Sequence, residues 1–220
     1  MAEDTFMPPE FIRRFPVYLL LDCSGSMHGE PITVVSEGLD MIYYELMEDP
    51  EATERVFISV ITFAEQAEME PLVPIDEFVP PTLMASGHTA MGAAFAALVD
   101  SIEKDLIKND SNRKGDYRPL VFLLTDGIPS DNYKDEISRL KALKRLKPTI
   151  VALGCGPETN KVMLHEVTEH VFLMHEFEAE NLRSYFRWVS SAIISASRGV
   201  DGSSTLELPP PPSGIIRSPF

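Results

Sequence analysis

Runs in which every residue is apolar alternate along this chain with stretches in which apolar residues recur every three or four positions. Strands buried on both faces produce the first pattern, and helices with one buried stripe produce the second. Val17-Tyr18-Leu19-Leu20-Leu21 predicts such a strand, ending at Asp22. Past a short Gly/Ser loop, Val35, Leu39, Ile42 and Leu46 keep helical spacing. Asp49-Pro50 should end that helix, because a residue before proline is pushed out of the helical region. Phe57 to Phe63, β-branched and aromatic, predicts a second strand. Glu68 to Ile75, flanked by prolines, predicts a short one at a sheet edge.

The same alternation continues to residue 198. Phe95, Val99, Ile102 and Leu106 share a helical face, and the polar stretch Asn109 to Tyr117 predicts an exposed loop. Leu120 to Leu124 is again wholly apolar and ends in Thr125-Asp126-Gly127. A charged helix is expected from Tyr133 to Leu146, a strand from Thr149 to Leu153, a short helix from Lys161 to Thr168, and a strand from Val171 to Met174. The last helix buries Leu182, Phe186, Val189 and Ile193. Alternating helices and apolar strands predict an α/β fold, a parallel sheet covered by helices on both faces. In such folds ligands sit at the C-terminal ends of the strands, where strand order reverses. The organisation expected is an N-terminal extension (1–14), one domain (15–198) and a Pro/Gly/Ser-rich tail (199–220) with Pro209 to Pro212 in a row. The tail is read as flexible, with a proline-rich docking segment as the alternative.

Bulk composition narrows this picture little. The chain has 220 residues, 44% of them hydrophobic and 24% charged, which suits one well-buried domain. With 19 Lys+Arg against 34 Asp+Glu, the formal charge is −15, so phosphate backbones are repelled and nucleic acid is a poor partner. No apolar stretch reaches the ~20 residues a membrane span needs. The N-terminus, with its early acids and two prolines, is unlike a secretory signal. Cys23 and Cys155 are the only cysteines, which points to a reducing, cytoplasmic setting.

The chemistry gathers in three loops at the expected ligand-binding end. Asp22-Cys23-Ser24-Gly25-Ser26-Met27 offers a carboxylate and two hydroxyls at alternate positions. Ser86-Gly87-His88-Thr89 places a hydroxyl at a helix start, and Thr125-Asp126-Gly127 a carboxylate at a strand end. Oxygen donors of this kind suit Mg²⁺, Mn²⁺ or Ca²⁺. The D-x-S-x-S, G-H-T and T-D-G motifs, in this order, resemble the metal-ion-dependent adhesion site of the von Willebrand factor A (VWA) fold. That resemblance covers roughly residues 15 to 198. It implies a doubly wound, mostly parallel, six-stranded sheet whose short edge strand, Glu68 to Ile75, runs antiparallel. By the same implied order the Leu120 to Leu124 strand lies between those of Cys23 and Cys155, which sets the two thiols too far apart to pair. It also implies one divalent cation, Mg²⁺ first and Mn²⁺ or Ca²⁺ next, with hydroxyl ligands Ser24, Ser26 and Thr89. Asp22 and Asp126 would bind directly or through water, and one open position would take an acidic side chain of a protein partner. The wording RRFPVYLLLD, DxSGSMxGEPI and VALGCG is similar to the bacterial TerY/YegL group. Members of that group are associated with tellurite and stress resistance, alongside kinase-like and phosphatase-like proteins.

Other features point elsewhere and carry less. Asp22 at a strand end looks like an aspartyl phosphoryl acceptor, but position 24 is Ser where acid/base work often needs a second acid. Cys23 precedes a loop like that of cysteine phosphatases, yet no Arg or Lys falls between positions 24 and 30 to hold a phosphate. Gly154 to Lys161 lacks the second Gly and the Ser/Thr of a phosphate-binding loop. His165, His170 and His175 recur every five residues, a spacing that keeps no helical face. His88, beside Thr89, is a candidate to support the metal ligands from outside or to contact the partner, and Met27, Met84 and Met91 could form an adaptable rim or simply pack in the loops.

Overall fold

A computed structural model of the chain describes residues 13–111, 114–157, 159–198 and 208–219. Most of the expected N-terminal extension and residues 199–207 of the expected tail lie outside the described residues. Eight strands among the described residues form one sheet: β1 (Phe15–Asp22), β2 (Val56–Phe63), β3 (Ala67–Met69), β4 (Val73–Pro74), β5 (Leu120–Thr125), β6 (Thr149–Cys155), β7 (His170–Met174) and β8 (Ile216–Arg217). Their order is β3-β2-β1-β5-β6-β7-β8, with β4 also on β2. Strands β2, β1, β5, β6 and β7 are mutually parallel, and the short edge pieces run antiparallel. Six helices connect them: α1 (Glu30–Met47), α2 (Pro50–Arg55), α3 (Met91–Asp105), α4 (Lys134–Ala142), α5 (Lys161–Val167) and α6 (Ala179–Arg198).

Every residue of β1 and β5 is buried, as the unbroken apolar runs require. Alternate residues face opposite layers. Val17, Leu19 and Leu21 join a core with α1 and α6, while Tyr18 and Leu20 join one with α3 and α4. The α1–α6 contact is very close at Gly38, where a Cβ would lie 2.1 Å from the Phe186 ring. From β1 the chain winds to β2 on one side and then to β5 on the other. The crevice between the C-terminal ends of β1 and β5 is therefore the switch point where such folds bind ligands.

Several expectations need correction. The sheet has eight strands, not six. Glu68 to Ile75 is not one strand but β3 and β4, interrupted around Pro71, whose missing N–H breaks the ladder. The end of the tail is held: Ile215 is buried, β8 pairs with β7, and the Trp188 indole N–H donates to the Pro209 carbonyl at 3.0 Å. Its Pro, Gly and Ser content masked Leu208 and Ile215, which pack on the core. The loop Asn109 to Tyr117 is not exposed throughout. Asp116 is buried, accepting from Arg14 at 2.5 Å and from the Ile107 amide at 2.7 Å. Beyond Asp49 the chain does not leave the helical region for long, because Pro50 opens α2 and the Asp49 carboxylate accepts from the Ala52 amide at 2.9 Å. Proline is at home in a first helical turn, where its missing N–H costs nothing.

Candidate metal centre

Parallel register sets the floor of the site. Leu21 pairs with Leu124, so the next positions, Asp22 and Thr125, stand side by side where their strands end. Asp22 is fully buried. Its Oδ1 accepts from the Ser24 amide at 2.8 Å, and its Oδ2 accepts from the Thr125 hydroxyl at 2.6 Å. Past Asp22 the backbone turns through a 3-10 segment, Gly25–Met27, which brings Ser24 and Ser26 to the same side. Their hydroxyl oxygens are 3.1 Å apart, and Ser26 Oγ donates to Asp126 Oδ1 at 2.8 Å. A continuous polar chain thus links Asp22, Ser24, Ser26 and Asp126.

Thr89 enters from the third loop. Main-chain hydrogen bonds dock that loop on the first: Ser86 N to Cys23 O at 2.8 Å and Gly25 N to Gly87 O at 3.1 Å. Thr89 is nearly buried. A Cβ on Gly127 would lie 3.1 Å from Thr89 Oγ1 and 3.9 Å from Asp22 Oδ2, so these two groups converge on the T-D-G turn. Among the described residues Thr89 Oγ1 has no hydrogen-bond partner. All five residues singled out in the sequence therefore gather at one end of β1 and β5.

Electrostatics give this cluster its character. Burial pushes the carboxyl groups of both Asp22 and Asp126 above the usual range. Hydrogen bonds from Ser24, Thr125 and Ser26 oppose the rise, and the charge of Asp22 adds to it at Asp126. Among the described residues neither carboxylate has a Lys, Arg or His within ion-pair distance. Two carboxylates close together in a desolvated place, with hydroxyls around them and no basic side chain, suit a small divalent cation. No group of three or more His, Cys, Asp or Glu side chains forms a metal cage among the described residues, so the hydroxyls would have to complete any coordination.

The competing chemistries lose ground here. Asp22 has both oxygens engaged and no surface for a phosphate donor. Cys23 is buried, and burial together with the charge of Asp22 pushes its thiol up to about 12, which leaves it protonated and unreactive at neutral pH. Cys23 and Cys155 are both free thiols, with β5 between their strands as expected. The three spaced histidines sit on α5, at the start of β7 and beyond its end. Of the loop methionines, Met27 and Met91 are core residues and only Met84 is exposed, as is Ile128 on the T-D-G loop. His88 points outward, 3.9 Å from Glu65. Sequence reading missed Thr125, whose hydroxyl at a wholly buried strand end could be satisfied only by a neighbour such as Asp22.

Comparison with known proteins agrees with this architecture. The family model described as von Willebrand factor type A domain matches residues 17–186. Among solved structures, a von Willebrand factor type A protein from Catenulispora acidiphila superposes with a TM-score of 0.61 at 16% identity, over 83% of this chain and 43% of that one. The pilus adhesin SpaC from Lactobacillus rhamnosus GG, in an open conformation, gives 0.63 at 12% identity, over 85% and 31%. Proximal thread matrix protein 1 from the mussel byssus, with a zinc occupied MIDAS motif, gives 0.56 at 18% identity, over 84% and 46%. The chain spans less than half the length of each of these three. A search of curated proteins found no match.

Proposed function

The chain belongs to the von Willebrand factor type A domain family, and from that premise we propose that it is a divalent-cation-dependent protein-binding module rather than an enzyme. Ser24, Ser26 and Thr89 would offer hydroxyl ligands, and Asp22 and Asp126 would bind directly or through water. A carboxylate of the partner would take the remaining position. The observation that carries this reading is the pair formed by the buried Asp22 carboxylate and the half-buried Asp126 carboxylate, joined through Ser24 and Ser26 and lacking any basic partner among the described residues. Exposed Met84, two residues before Ser86, and Ile128, two residues after Asp126, neither being part of the apolar core, would frame the bound carboxylate with apolar contacts. Among the described residues no helix is long and apolar enough to cross a membrane. Two reduced cysteines suit a cytoplasmic setting. Within the family, the likeness of its RRFPVYLLLD, DxSGSMxGEPI and VALGCG wording to the TerY/YegL group supports a role in a tellurite or stress resistance system. Its partners there would be kinase-like or phosphatase-like proteins of the same system.

Stability tests the metal directly. A ligand at ~100 times its dissociation constant stabilises by roughly 2.7 kcal/mol if it binds only the folded chain. Millimolar Mg²⁺ or Mn²⁺ added to a chelator-stripped preparation should raise Tm by several degrees, and Asp126→Ala should abolish the rise. Parallel titrations with Ca²⁺ and Zn²⁺ identify the preferred ion, Zn²⁺ being included because the mussel protein holds it. A melting curve indifferent to every ion would overturn the proposal.

A further inference from the structure

We propose that Asp131 is a positioning residue for this site, clamping the start of α3, and with it Thr89, against the loop that carries Asp126. The inference rests on the reading of the site given above. The first amides of a helix have no partner within it and need an acceptor from outside. In α3 the residue at the cap position is Ala90, whose side chain has no acceptor to offer. The need is met from the far side of the crevice. Asp131 Oδ1 accepts from the Gly92 amide and Oδ2 from the Ala93 amide, each at 2.8 Å. The adjacent Ser130 amide donates to the Thr89 carbonyl at 2.9 Å. Three hydrogen bonds therefore tie the loop after β5 to this junction, two to the first turn of α3 and one to Thr89 just before it. A negative acceptor at a helix start is favoured further by the helix dipole.

The backbones at this junction touch. A Cβ on Gly92 would lie 2.4 Å from the Asn132 carbonyl oxygen, so only glycine admits so close an approach. Among the described residues Thr89 has no side-chain hydrogen bond of its own to fix it. Its position follows from main-chain contacts: its carbonyl accepts from Met91 as well as from Ser130, and the next amide, Ala90, donates to the Ala64 carbonyl. The spacing between the Thr89 hydroxyl and the Asp126 carboxylate is consequently set by Asp131 and Ser130. Outer groups that orient metal ligands typically contribute 10- to 100-fold in affinity.

Mn²⁺ titrated calorimetrically into the full-length chain, in the native form and as Asp131→Ala, Asp131→Asn, Thr89→Ala, Asp126→Ala and the Asp131→Ala/Thr89→Ala double variant, tests this. Asp131→Ala should weaken Mn²⁺ binding by about tenfold or more. Asp131→Asn, which keeps one carbonyl acceptor, should lose less. Because Asp131 acts through Thr89, Asp131→Ala should cost under about twofold more in the Thr89→Ala background, whereas a general loss of stability would cost the same in both. An equal loss in both backgrounds overturns the assignment. So does a native-like affinity in Asp131→Ala while Asp126→Ala abolishes binding; either result leaves the metal site itself standing. A native chain that takes up no Mn²⁺ overturns both. If Asp131→Ala does not fold, Asp131→Asn carries the same cycle.

Discussion

Asp22 has a hydrogen bond on each carboxylate oxygen, yet burial still holds its proton more tightly than usual, and Asp126 behaves likewise. For a carboxylate raised in the folded state, stability is fully present below the unfolded value near 4 and is lost as pH rises through the folded value. The chain is thus strained by these two groups at neutral pH, and a cation bound as proposed would relieve that strain by taking the proton's place. The Tm gain on adding Mn²⁺ should be larger at pH 7.5 than at pH 5 in paired thermal scans. Equal gains would mean that Asp22 and Asp126 are not among the ligands. At this scale the sequence was informative about the five ligand candidates, since Asp22 and Asp126 close wholly apolar runs while Ser24, Ser26 and Thr89 stand in Gly-bearing loops that complete the motif order. It was silent about Thr125 and Asp131. Their partners, Asp22 on β1 and the amides of Gly92 and Ala93 on α3, are distant along the chain, and only the fold brings them together.

Helices and strands were legible wherever one physical demand dominated. The unbroken runs of β1 and β5 and the helical stripe of α1 and α3 answer burial alone. Where two demands competed, the boundary moved. Pro71 split the expected edge strand, and Pro50 both ended α1 and opened α2. Gly38 shows a constraint that periodicity alone would not reveal. It lies within α1, where alanine would be preferred by up to about 1 kcal/mol, but a methyl group there would strike the Phe186 ring of α6. Over-packing a tight core typically costs about 1–3 kcal/mol, so Gly38→Ala should destabilise the protein despite its better helix propensity. Urea titration of the two proteins measures it. A stabilised variant would mean that α6 can shift to make room.

Across the whole molecule, the sheet joins two differently built ends. The centre is parallel and covered on both faces, while the last strand is a two-residue antiparallel patch laid on the rim of β7 by the segment 208–219. That segment is anchored at the Trp188–Pro209 hydrogen bond, at buried Ile215, and at the Ser218 amide, which donates to the Val171 carbonyl at 2.8 Å. The direction of a load decides how such an attachment yields. Tension applied at the C-terminal end meets Ser218 first, then Arg217 and Ile216, and opens the ladder bond by bond like a zip. Strands β1 and β5, gripped along their length by neighbours on both sides, would have to slide many bonds at once. Drawn between its ends in an optical trap, the protein should therefore give a small early extension before the main rupture. Its size should be about 40 Å, the length of the twelve residues 208–219 pulled straight. The domain then has a built-in slack line, able to lengthen under weak tension while the crevice at β1 and β5 keeps its shape.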